Sequence, residues 1–298
     1  IERLKARTPG TGLEEDDLRI QLALCNRSLG LILNHSGRSE AALVPLNQAE
    51  ADFTTLQNSP VYAGSALINL SAVLGDQANV LRQLGRHSEA LAAAERGMEI
   101  DRQLRDAQAE AGGLLQTADI LVEQQRFAEA GDRYQRALDT ARAANDRSLQ
   151  GSILEAQGNL EANQGHFDEA ITLYQQALSL FQAAGDAKGE MDTTNNLGIA
   201  ESNRGQLAAA AAWYLRAREL AGQLGNRYML GGVAQNLGIL YQQQAGQPDL
   251  PEAERYAALR ELMIRILRVG GAIADAIRNN GSVALPGFGH VMDAEATP

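Results

Sequence analysis

The chain has a single cysteine, seven prolines and few aromatic side chains, 4% of its 298 residues. One cysteine makes no internal disulfide, so no covalent framework holds the fold and a reducing compartment is permitted. Cys25 follows the apolar run 20–24 and reads as a buried small hydrophobe. Scarce proline leaves long stretches open to helix. Few aromatics beside abundant Ala, Leu, Gln and Glu predict helices packed through small residues. Basic residues are the minority, 26 Lys and Arg against 37 Asp and Glu, for a net charge of −11. A phosphate backbone calls for a basic stripe, so no nucleic-acid partner is expected. No run approaches the roughly 18 apolar residues of a membrane span. No membrane association is expected, and the cytoplasm is the expected location. The chain opens at Ile1 without a signal peptide, which predicts a piece of a larger protein.

Patterns that carry chemistry are missing as well. No zinc-type cysteine pair, zincin helix, P-loop or nucleophile elbow occurs. His35, His87, His166 and His290 fall in separate segments and do not converge as metal ligands. The first three are expected at the surface near turns. No enzymatic activity, metal or cofactor is expected.

What the chain does have is a period of 40 residues. The pairs Arg105-Asp106, Asn145-Asp146, Gly185-Asp186 and Gly225-Asn226 form one ladder. Gly85, Gln125, Gly165 and Gly205 form a second, and Ala90, Ala130, Ala170 and Ala210 a third. A period this long predicts stacked units, each burying its apolar face on the next. In the unit 187–226, Met191 to Asn203 reads as one helix and 207–224 as another, with Ala210, Tyr214 and Ala217 on one stripe. Gly205 between them suits the left-handed residue that ends a helix. The same stripe recurs as Ala170, Tyr174, Ala177; Ala130, Tyr134, Ala137; Ala90, Ala94, Gly97; and Ala42, Leu46, Ala49. The tyrosines are expected as core, filling the space between neighbouring hairpins. Two places break the period. From Gly37 to Gly85 eight residues are added, which predicts a lengthened helix near 61–84 or a longer turn at 58–60. The segment 245–251, with two prolines, predicts a longer loop.

With these residues, and with Leu197-Gly198 ahead of Gly205, the chain resembles the tetratricopeptide repeat family over residues 18–268. The family's usual period is about 34 residues; the period of 40 resembles its long-helix subtype, found in bacterial signalling sensor arrays and in adaptor proteins. The family tryptophan is missing, and Ala118 and Gln125 stand where glycine is usual. The resemblance implies an all-α, right-handed superhelical solenoid of about six helical hairpins. A lead-in (1–17) precedes it, and a capping helix (269–280) and an extended or disordered tail (281–298) follow. It also implies a concave groove, lined by each hairpin's first helix, that binds a peptide or protein segment, as the sensor or recruitment arm of a larger signalling protein. On that register Asn79, Arg82, Glu123, Glu155, Asn159, Asn163, Asn195, Asn203, Gln235 and Gln242 face the groove, with Asn34, His35, Gln83, Asp119, Ser202 and Gln243 beside them. Amides donate and accept at once and so match a peptide backbone. Asp119, Glu123 and Glu155 would add a negative patch suited to basic residues on the partner, with Arg82 and Arg86 positive at the other end.

Three rival roles remain open: a homo-oligomeric scaffold, a self-occluded array with 281–298 in the groove, and a nucleic-acid role. The last arises because residues 273–289 resemble the helix-to-strand junction of bacterial histone-like proteins, although the basic arm of that family is absent.

Overall fold

The computed structural model describes residues 12–245, and among them lie eleven helices and no strand. Five hairpins fill the first of two units, residues 1–226. They are α1 (Gly12–His35) with α2 (Ser39–Leu56), α3 (Ala63–Gln83) with α4 (His87–Leu104), α5 (Ala107–Glu123) with α6 (Phe127–Ala143), α7 (Arg147–Asn163) with α8 (Phe167–Ala184), and α9 (Ala187–Asn203) with α10 (Leu207–Gln223). The second unit, 227–298, contributes α11 (Arg227–Ala245). The expected partner helix of the sixth hairpin, the loop 245–251 beyond Ala245, the capping helix and the tail lie outside the described residues. So does the lead-in up to residue 11. Residues 12–17 of that lead-in are the first turns of α1.

The turns follow from backbone chemistry. Nine positions at hairpin and unit junctions adopt positive φ: Gly37, Gly85, Arg105, Gln125, Asn145, Gly165, Gly185, Gly205 and Gly225. At Gly205 the amide donates to Ser202 O at 3.0 Å and the next amide, of Gln206, to Glu201 O at 2.8 Å. This left-handed closure satisfies carbonyls that the ending helix leaves unpaired. The next first helix then opens on an aspartate. The side chains of Asp106, Asp146 and Asp186 accept from the amides of Ala109, Leu149 and Gly189 at 2.9–3.0 Å, the usual N-cap bond. The second oxygen of two of these carboxylates reaches back one hairpin. Asp146 accepts from Gln108 at 2.7 Å and Asp186 from Ser148 at 3.0 Å. One residue type at one ladder position therefore starts a helix and ties it to the preceding unit.

The eight residues added before Gly85 are divided between both expected places. α3 has 21 residues where α5, α7 and α9 have 17. The turn 57–62 takes the other four, six residues where α4–α5 and α8–α9 have two.

Small residues set the packing within each hairpin. Tyr134, Tyr174 and Tyr214 are buried. Tyr134 shares a core with Ile153 and Leu154 of the next hairpin and Tyr174 with Leu197 and Ala200, so these two fill the space between hairpins as the stripe suggested. The rings also press on the first helix of their own hairpin. A Cβ added to Gly158 would come within 2.6 Å of the Tyr174 ring, and one added to Gly198 within 2.6 Å of Tyr214. The tyrosine hydroxyl then donates to that same helix, Tyr134 to Asp119 and Tyr174 to Asn159, both at 2.7 Å. Phe181 bridges two hairpins as well. It is fully buried and presses on Gly151 of its own hairpin and Gly189 of the next. Cys25, expected to be buried, is half-buried.

Candidate functional site

The period carries each first helix into the same orientation, so residues 40 apart share a face. Arg82 on α3, Asp119 and Glu123 on α5, and Glu155, Asn159 and Asn163 on α7 line one depression of about 390 Å³. Three successive first helices thus contribute polar groups to a single site. Asn79 lines a neighbouring depression of about 460 Å³ between α3 and α5, shared with Asp76, Asp101, Gln116 and Asp119. Asn195 and Ser202 are half-buried and Asn203 exposed on α9. Asn34 is half-buried at the end of α1, where it accepts from Ser39, and His35 is exposed. Gln235, Gln242 and Gln243 are exposed on α11, in the second unit.

Several of these side chains are already engaged. The sequence reading set Arg82 and Glu123 at opposite ends of the groove, but they form an ion pair at 2.5 Å, and His87 Nδ1 lies 3.3 Å from the other Glu123 oxygen. Arg82 therefore offsets the negative patch locally. Arg86 stands just before α4, and its guanidinium pairs with Glu89 at 2.7–2.8 Å. Asn159 Oδ1 accepts from the Tyr174 hydroxyl and Asp119 from that of Tyr134, so both also hold the second helix in place.

Glu155 differs from the rest. Burial, then the Asp192 carboxylate of α9, push its pKa up to about 7; Lys188 and the Asn196 amide oppose the shift. Asn196 Nδ2 donates to Glu155 Oε1 at 2.8 Å. Burial also raises Asp119, against the pull of Tyr134 and Arg82. The site thus holds two carboxylates whose charge is poorly solvated, flanked by amides and one paired arginine. Groups of this chemistry can pair with a cation and hydrogen-bond a backbone.

Sequence reasoning missed the residues one place along the helix. Gln116 Nε2 donates to Gly75 O, and Asn196 makes the equivalent reach to Glu155, both at 2.8 Å across one period. Asp76, Gln116 and Asn196 share a register position, and a ladder sought among polar residues would have found them. Among the described residues no cluster of metal-ligating side chains occurs, and no helix is long and apolar enough to cross a membrane.

Comparison with known proteins fits this geometry. Residues 110–183 match one tetratricopeptide repeat family model and residues 155–224 match a second. Between them the two matches mark residues 110–224 as tetratricopeptide repeats. No curated protein sequence matches the chain. Solved structures share the fold at low identity. BtubC (BKLC) from P. vanneervenii superposes with a TM-score of 0.65 at 17% identity, over 87% of this chain and 99% of its own. Aspartyl phosphate phosphatase F from Bacillus subtilis gives 0.65 at 13% identity, over 92% and 74%. A STAND signal transduction ATPase from Pyrococcus horikoshii, described as having a tetratricopeptide repeat sensor, gives 0.62 at 17% identity. The match covers 86% of this chain but 37% of that protein.

Proposed function

We propose that the tetratricopeptide repeats of this chain form a protein-interaction module whose first-helix face binds an extended segment carrying a basic side chain. One observation carries the reading: seven polar side chains from α3, α5 and α7, Ser152 among them, meet in one depression. The amides of Asn159 and Asn163 suit a peptide backbone, and Glu155 with Asp119 suits a lysine or arginine. A solved Rap protein of the same fold is in complex with competence and sporulation factor, at 14% identity and a TM-score of 0.59. In a larger signalling protein the array would serve as the sensing or recruiting arm. A ligand that prefers one arrangement of the hairpins would shift their populations and bias attached domains.

The test is an array of extended peptides, with and without Lys or Arg, titrated against wild type, Asn163→Ala and Glu155→Gln. Asn163 is exposed and Gln keeps the oxygen that Asn196 uses, so both variants should fold. Basic peptides are expected to bind wild type and to lose about tenfold or more in Glu155→Gln. Binding should weaken as the pH falls through about 7, where Glu155 takes up its proton, and Glu155→Gln should lack that dependence. Equal affinity in all three proteins would overturn the reading.

A further inference from the structure

Leu18, Leu22, Cys25, Leu29 and Ile32 run along one side of α1 at spacings of four and three. Gly37 and Gly85 close the two hairpins alike, which aligns α1 with α3 and sets these five against Ala66, Leu70, Val73, Gln77 and Val80. In α3 every one of them is at most 4% exposed, because α2 lies on that side. Ala49, Phe53 and Leu56 share a core with Ala66, Leu70 and Val73. Gln77 donates to Asn47 and Glu50, and Val80 joins Ala42 and Leu43. On α1 the same register has no helix over it among the described residues. Ile32 is 60% and Leu29 37% exposed, while Leu18, Leu22 and Cys25 are half-buried. The stacking interface that joins each hairpin to the one before it is thus present on α1, with none of the described residues over it.

We propose that a second copy of this chain covers it, α1 packing antiparallel on α1 about a two-fold axis at Cys25. The stripe is its own complement in that arrangement. Leu18 and Ile32 lie seven residues either side of Cys25, and Leu22 and Leu29 three and four. Cysteine is small enough for the helices to approach closely where they cross. Charge fixes the direction. Glu14, Glu15, Asp16 and Asp17 begin α1, while His35 ends it and Arg38 follows. Antiparallel pairing sets acidic start against basic end and opposes the two helix dipoles, whereas parallel pairing stacks like charges. A two-fold contact of one patch with itself closes at two copies. The surface is separate from the groove and does not depend on its reading.

Sedimentation equilibrium of the full chain tests this, with crosslinking by a short bis-maleimide. The mass is expected to rise with concentration to twice the monomer, and Cys25 to crosslink across the pair. Leu29→Glu with Ile32→Glu, both at exposed positions, should halve the mass and abolish the crosslink while leaving the far-ultraviolet dichroism unchanged. Val44→Glu, 72% exposed on α2, should change neither. A monomer at every concentration, a dimer that survives the double substitution or does not crosslink through Cys25, or open-ended growth would each overturn the proposal. So would a monomer that dimerises only when residues 1–11 are removed, since the chain's own start would then be the occupant.

Discussion

At the scale of single residues, the junctions between hairpins are fitted by paired changes in size. The position that is Ala141 at the end of α6 is Phe181 at the end of α8, and the position that is Leu149 in α7 is Gly189 in α9. Leu149 packs on the core that holds Ala141, whereas the Phe181 ring occupies the room that Gly189 leaves. Phe181→Ala alone should cost about 3–4 kcal/mol through the cavity it opens. Gly189→Leu alone should also destabilise, because its Cβ meets the ring at 2.4 Å. The double variant copies the preceding junction and should recover more than half the summed loss, as read by urea denaturation. Additive losses would show that the two positions do not share space. Glu155 gives a second residue-scale expectation. Its folded pKa, about 7, lies above the ordinary 4.5, so the folded state holds a proton that the unfolded chain releases. The resulting stabilisation is complete below pH 4.5 and is lost as the pH rises through 7. Glu155→Gln should therefore stabilise the fold above pH 7, by about 3 kcal/mol, and have little effect below pH 4.5. Thermal melts across that range check the sign.

At the scale of the element, helix ends were legible and their exceptions informative. Glycine at 85, 165, 185, 205 and 225 marks a left-handed closure directly. Arg105, Gln125 and Asn145 fall on the same ladders without being glycine, and the structure gives them the same left-handed conformation, with φ of 55–60°. A side chain with a Cβ is strained there by about 1–2 kcal/mol. Arg105→Gly should accordingly raise stability by about 1 kcal/mol, and Asn145→Gly by less, since asparagine tolerates that region. Asp186→Ala should lose about 1–2 kcal/mol, for it removes an N-cap and the Ser148 bond together. An unchanged denaturation midpoint in either Arg105→Gly or Asp186→Ala would count against this account of the turns. Less legible was the use made of polar groups. The register placed Arg82, Asp119, Glu123 and Asn159 on the right helices. It did not show that Arg82 meets Glu123, or that a tyrosine fifteen residues on binds Asp119 and Asn159. Periodicity reports which face a residue occupies. Its partner depends on side-chain reach to a neighbouring helix, which no single ladder encodes.

At the scale of the whole molecule, each helix of the first unit touches the next one along, and successive first helices touch each other. Stability in such an array is close to a sum of local terms and junction terms. Amide exchange in dilute solution is expected to be slowest in α5 to α8, with neighbours on both sides, and faster in α1. A uniform rate through all five hairpins would contradict that picture. The exchange of sizes between Ala141 with Leu149 and Phe181 with Gly189 has a consequence for inheritance. Repeated coding segments invite unequal recombination, and losing 40 codons keeps the reading frame and both kinds of turn. Excision of residues 147–186 would nevertheless join Ala141 to Gly189 and leave a hole the size of a benzene ring. The units are alike in outline yet keyed to their neighbours, so the order in which they stand is protected against shuffling by the shape of the joints.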